Sequence, residues 1–205
     1  MTQLSLNEDE LILFYSDQRD PKHGQIIAHQ TTRDLKTWSS LQTDIAYSDY
    51  GARPGMPTTA KLPNGKYILA YEYGGAPGSK SYSYPIHYRL TSDLQKVSSA
   101  PDYALVPRGE GAPTSSPFVT WTSYGGANGT ILVSAYGANV FANRALGDAN
   151  AWVSYKVPQP GAYTRNLMIF QDRPDLLLIM GAGNLPPSTT NKVSLSVVDL
   201  KKLLG

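Results

Sequence analysis

The chain has 205 residues, of which 41% are hydrophobic and 17% charged, enough apolar material for one core and too little charge for a disordered tail. A net charge of +2 without a basic run leaves no footprint for nucleic acid, and no apolar stretch approaches the roughly 20 residues of a membrane-spanning helix. Cysteine is absent, which excludes disulfides and Cys-based metal sites, and no basic segment followed by an apolar run marks a signal peptide in this chain.

In chain order, residues 11–16 (Leu-Ile-Leu-Phe-Tyr-Ser) form a compact apolar run that predicts a buried strand. A polar loop, Asp17-Gln18-Arg19-Asp20-Pro21, leaves it, and residues 24–30 give a second strand. This strand runs into the turn Thr31-Thr32-Arg33-Asp34-Leu35-Lys36-Thr37-Trp38. The Asp34 side chain can bond the turn amides, and Trp38 can cap the strand pair beneath.

Asn64-Gly65 lies between the strand-like runs 56–62 and 66–71, a strong hairpin signal because both residues tolerate positive φ. The second run ends at Glu72, between Tyr71 and Tyr73 and before Gly74-Gly75. A carboxylate at a strand end beside a glycine loop reads either as a catalytic acid or as a solvated rim residue.

The pattern recurs. Strands are expected at 84–90, at 116–123 and 130–136 around the glycine-rich turn 124–129, at 139–146, at 163–171, at 176–180 and at 193–198. Turn aspartates at 34, 93 and 148 lie 59 and 55 residues apart, and a fourth round turns at 172–175. Four rounds of hairpin, strand and polar turn predict an all-β chain of about four propeller blades, approximately 1–50, 51–107, 108–160 and 161–205, in one partial β-propeller domain (1–205). A β-sandwich is the alternative. Helix is expected only as one turn at 199–204.

Ser-Asp-Gln-Arg-Asp-Pro at 16–21, His-Gly-Gln at 23–25, Asp-Leu-Lys-Thr-Trp at 34–38, Arg-Pro-Gly-Met at 53–56 and Leu-Pro-Asn-Gly-Lys-Tyr at 62–67 resemble, in order and spacing, the sialidase-like β-propeller glycoside hydrolases with degenerate Asp-box (BNR) repeats. The branch they look most like is glycoside hydrolase family 93, the mostly secreted fungal exo-α-1,5-L-arabinanases. Beyond residue 75 the resemblance rests on blade rhythm and on Gly-Ala-Tyr-Thr-Arg at 161–165.

The resemblance implies a six-bladed propeller that removes arabinobiose from α-1,5-linked arabinan with retention. That mechanism uses two carboxyl groups about 5 Å apart. It implies that Glu72 is the acid/base and that the nucleophile precedes the strand leading to Ser16, at Met1-Thr2 or just before. On this reading the chain is the C-terminal portion of such an enzyme, lacks the nucleophile and two blades, and does not hydrolyse arabinan by itself. Extracellular localisation follows from the family alone.

Further substrate-binding candidates are Arg53, Asp17, Arg19, Tyr71, Tyr163 and Arg165, each with a structural alternative. Arg53 either forks onto sugar hydroxyls or bonds blade carbonyls; Asp17 and Arg19 either line the pocket rim or form a local salt bridge. Tyr163 and Arg165 open the fourth blade as Arg53 opens the second. Tyr71, Tyr73 and Tyr124 stack on sugars or pack in the core. His23, His29 and His87 lack metal-site spacing, so packing is expected of them and no metal or cofactor is implied. Asn128-Gly129-Thr130 is a glycosylation sequon.

Two functions stand: a glycoside hydrolase of arabinan, or a remnant of one, and a non-catalytic propeller module binding carbohydrate or protein. The expected partner is carbohydrate, with no nucleic acid and no membrane. Self-association through open blade edges is expected as well.

Overall fold

The computed structural model describes residues 2–7 (backbone only), 9–76, 83–184 and 189–205. The first sheet holds β1 (Thr2–Asn7), β2 (Glu10–Asp17), β3 (Ile26–Thr32) and β4 (Gln42–Ile45). The second holds β5 (Arg53–Lys61), β6 (Tyr67–Gly74), β7 (Ile86–Thr91) and β8 (Asp102–Ala104). In the third are β9 (Phe118–Thr122), β10 (Thr130–Ser134), β11 (Asn139–Asn143) and β12 (Trp152–Lys156). The fourth has β13 (Arg165–Phe170), β14 (Arg173–Gly181) and β15 (Ser194–Asp199). Each sheet is an antiparallel meander in sequence order. The first strands touch in turn, β1 with β5, β5 with β9 and β9 with β13. This is four blades around one axis, the all-β propeller arrangement that the repeat spacing predicts.

Three apolar layers join the four blades. Ile12, Phe14 and Ile27 meet Leu69 and Tyr71 between the first and second; Ile68 and Tyr88 meet Ile131, Val133 and Trp152 between the second and third. Leu132 and Val140 meet Leu167, Leu177 and Ile179 between the third and fourth. β6 is therefore buried on both faces along its whole length. Its odd positions 67–73 face the first blade and its even positions 68–72 the third. Each fully buried aliphatic side chain here contributes about 1.5–3 kcal/mol.

The turn aspartates act as their side chains permit. Asp34 Oδ1 accepts the amides of Thr37 at 2.7 Å and Lys36 at 2.8 Å, which hold its carboxyl down to about 2. Asp93 accepts the Gln95 amide and Asp148 the Asn150 amide. Helix is confined, among the described residues, to a 3-10 segment at Leu94–Ser99 and to α1 (Leu200–Leu204), capped by Asp199 at the expected place.

One local expectation is corrected. The Asn64-Gly65 hairpin forms, but only Gly65 has positive φ, at 79°. The Gly65 amide donates to the Leu62 carbonyl and the Leu62 amide to the Lys66 carbonyl. Pro63, with φ fixed by its ring, favours a longer turn closed by a left-handed glycine over the tight two-residue turn.

Candidate active site

Glu72 lies near the end of β6 on the face toward the third blade, paired through the backbone with Gly55 of β5 and Ile86 of β7. Only 8% of it is exposed. The Ser116 amide donates to its Oε2 at 2.8 Å. Burial pushes the Glu72 carboxyl above the usual carboxylate range, and the Ser116 amide opposes this by favouring the ionised form.

All four blades send residues to this place. β5 slips register between Gly55 and Thr58, a bulge that turns Met56 out of the ladder with φ of 52°. The Met56 amide donates to Ser16 Oγ of the first blade at 3.3 Å. Its sulfur accepts the Ser116 hydroxyl of the third blade and the Tyr163 hydroxyl of the fourth, each at 3.4 Å. Arg53 Nη2 donates to Gln25 Oε1 at 3.1 Å, and Gln25 Nε2 donates to the Pro54 carbonyl at 2.8 Å. Gly55 sits where these meet: a Cβ there would stand 2.7 Å from Gln25 Nε2 and 3.5 Å from Glu72 Oε1. A larger residue here would push the Gln25 amide away from the Pro54 carbonyl it bonds.

Backbone strain concentrates here. Of five non-glycine residues at positive φ among the described residues, Met56, Ser115 (62°) and Ser116 (52°) cluster around Glu72. Each costs about 1–3 kcal/mol, and such strain collects at functional sites.

The other candidates divide. Arg53 and Tyr163 join the cluster. Tyr71 does not: one step along β6 from Glu72, it points the opposite way and is fully buried against the first blade. Its hydroxyl donates to Asp102 Oδ1 at 2.5 Å and also bonds the Tyr47 hydroxyl at 2.6 Å. Tyr73 stacks on Tyr47 at 3.8 Å, and Tyr124 packs between the third and fourth blades. The sugar-stacking expectation for Tyr71 is corrected by this strand parity.

Arg165 is fully buried between the third and fourth blades, where its Nη2 donates to the Asn139 carbonyl. Its Nε and Nη1 have no hydrogen-bond partner among the described residues, and burial lowers its pKa to about 10. It is closed off from solvent between these two blades.

Asp17 and Arg19 form a local pair, with Arg19 Nη2 donating to Asp17 Oδ2 at 2.5 Å. The Arg19 bond, against burial, holds the Asp17 carboxyl below its usual range. Both line a groove of about 570 Å³ with Pro21, Ile26, Gln30 and Leu41, on the face of the first blade opposite Ser16. The three histidines bond the Tyr47 carbonyl (His23), Asp44 (His29) and Asp102 (His87), and no metal-binding group of His, Asp or Glu occurs among the described residues.

No second carboxylate meets Glu72 among the described residues. Asp17 is engaged with Arg19, and Asp102 with Tyr71 and His87. The position expected for the nucleophile, at Met1 and before, lies outside the described residues.

No family model and no curated protein matches the sequence. Solved structures do. The GH93 α-L-arabinofuranosidase of Fusarium graminearum, solved with arabinobiose, is 51% identical over 100% of this chain, with a TM-score of 0.96. The α-L-arabinanase of Penicillium chrysogenum, complexed with arabinobiose, is 44% identical over 98% of this chain, with a TM-score of 0.94. The chain is a homologue of the GH93 enzymes. It spans 58% of the length of the Fusarium relative and 57% of the Penicillium one. The arabinanase of Bacillus subtilis, 11% identical with a TM-score of 0.60, shares the fold alone.

Within this GH93 homologue, sequence reasoning passed over Ser16, Gln25, Met56 and Ser116 as site residues. The first three lie inside motifs that carried the family resemblance. Ser116 has no sequence signal, because two consecutive serines at positive φ leave no composition mark.

Proposed function

We propose that this chain carries the acid/base part of a GH93-type site that removes arabinobiose from α-1,5-linked arabinan with retention. Glu72 is the proton donor to the departing sugar oxygen. The observation that carries this is the placement of Glu72: a buried carboxyl held by one backbone amide where four blades converge, in a chain half identical to an arabinofuranosidase solved with arabinobiose. Burial keeps the proton on the acid, and the amide steadies the carboxylate left after transfer. Arg53, Gln25 and Tyr163 supply polar edges for sugar hydroxyls. The attacking carboxylate of the retaining pair comes from outside the described residues, and the substrate is extracellular polysaccharide.

A general acid contributes about 10²–10⁴-fold, far below what glycosidic cleavage requires. The 205-residue chain by itself therefore releases no arabinobiose from linear arabinan or from an aryl arabinobioside. Release by the purified chain, absent in Glu72→Ala, would reveal a nucleophile within it. The acid role itself is tested in the Fusarium relative by changing the residue that matches Glu72 to Gln. Loss of turnover is expected, and full activity would overturn the assignment.

A further inference from the structure

Met56 has a role that the chemistry above does not use. Its backbone is held at positive φ by a bulge, although methionine gains nothing intrinsic from that conformation. Its sulfur receives two hydroxyls from two other blades, Ser116 and Tyr163, and its amide is tied to Ser16 of a third. Ser116 is completely buried, and its amide is the group that holds Glu72. Met56 is thus joined to Glu72 through one residue.

We propose that Met56 is a positioning residue for Glu72: its sulfur anchors the Ser116 hydroxyl, and so keeps the Ser116 amide aimed at the Glu72 carboxyl. The chemistry of the thioether suits this. It is a weak acceptor with no donor, so it takes both hydroxyls, draws little on the Ser116 amide and cannot displace that amide as a donor to the Glu72 carboxyl. It is also apolar and pliable enough to fill the space between strained segments. A leucine would fill the same volume but leave both hydroxyls without this acceptor. The charged side chain sharing the cluster, Arg53, is engaged with Gln25. This inference rests on Glu72 being the working carboxyl, yet its test does not need turnover.

The experiment is a ¹³C NMR titration of the 205-residue chain labelled at glutamate. The chain has four glutamates, at 8, 10, 72 and 110, and the Glu72 signal is assigned by its loss in Glu72→Gln. In Met56→Leu the Ser116 amide loses its aim and opposes burial less. The Glu72 pKa should then rise by about one unit, a tenfold gain in proton affinity. Ser116→Ala keeps the amide but removes the hydroxyl anchor, and should move it in the same direction. Selenomethionine keeps a chalcogen acceptor and should restore the wild-type titration. A role in packing alone predicts no movement in Met56→Leu. An unchanged Glu72 titration in a folded Met56→Leu chain overturns the proposal. If that variant does not fold, an unchanged titration in Ser116→Ala overturns it. The acid role can fail in the relative while this positioning holds, and the converse, so the two are separable.

Discussion

The Ser116 amide and the Glu72 carboxyl meet at 2.8 Å across the boundary of two blades, 44 residues apart in sequence. The contact joins a strand end of one repeat unit to the entry of the next, and it depends on Ser116 standing at a φ of 52°. Blade packing thus supplies both the burial of the candidate acid and the amide that opposes it.

Glu72 should make stability depend on pH with a definite sign. Burial raises its pKa in the folded chain, so the folded form keeps the proton to higher pH than the unfolded form does. Its contribution is fully present below the ordinary carboxylate range and is lost as pH rises through the folded value. Glu72→Gln cannot ionise. The melting temperatures of variant and wild type should agree near about pH 4 and diverge in favour of Glu72→Gln toward about pH 7. A difference independent of pH would contradict the burial effect.

Leaving-group dependence tests the direction of proton transfer. In the Fusarium relative, replacing the residue that matches Glu72 by Gln should lower turnover by about 10²–10⁴-fold for aryl glycosides with basic leaving groups. Activated nitrophenols, which need little protonation, should lose much less. Equal losses across the series would remove the acid role.

Arg165 offers a contrast with Arg53. Two of its nitrogens have no partner among the described residues and it packs between blades, so Arg165→Met should change urea-unfolding stability by no more than about 1 kcal/mol, because replacing a poorly satisfied buried charge by an apolar chain of similar volume is often neutral. Arg165→Ala, which leaves a cavity, should cost about 2–5 kcal/mol. Loss of arabinobiose binding in a stable Arg165→Met version of the relative would restore the pocket assignment.

The outer face of the fourth blade should drive self-association of the isolated chain. Register places Met168, Leu178, Met180, Leu195 and Val197 on one side, and Leu195 is 64% and Val197 52% exposed. A contiguous apolar sheet face of this kind seeks cover. Light scattering at tens of micromolar should give a mass above that of the monomer, and Met180→Lys with Leu195→Lys should restore the monomer. A monomeric wild-type chain would sink this expectation.

The sequence by itself determined the elements whose signal is local. Apolar runs marked β2, β6, β10 and β14, because these strands have at least one buried face. The polar turns were legible because an aspartate bonding its own turn amides needs no distant partner. Three of the outermost strands were not legible. β8 is exposed at every position, β4 is half exposed, and β12 has one buried position in five, so neither apolar content nor alternation announces them. Glu72 could be singled out because a carboxylate ending an otherwise apolar strand is conspicuous. The direction of Tyr71 was not legible, because a one-residue step on a strand reverses the face and only the packed blades show which face meets the site; nor was the burial of Arg165, which depends on the third and fourth blades closing on it. Ser16, Gln25, Met56, Ser116 and Tyr163 come from four separate repeat units. Their convergence on Glu72 exists only once burial has stacked the blades, because it is the apolar layers between sheets that bring those strand ends to one axis.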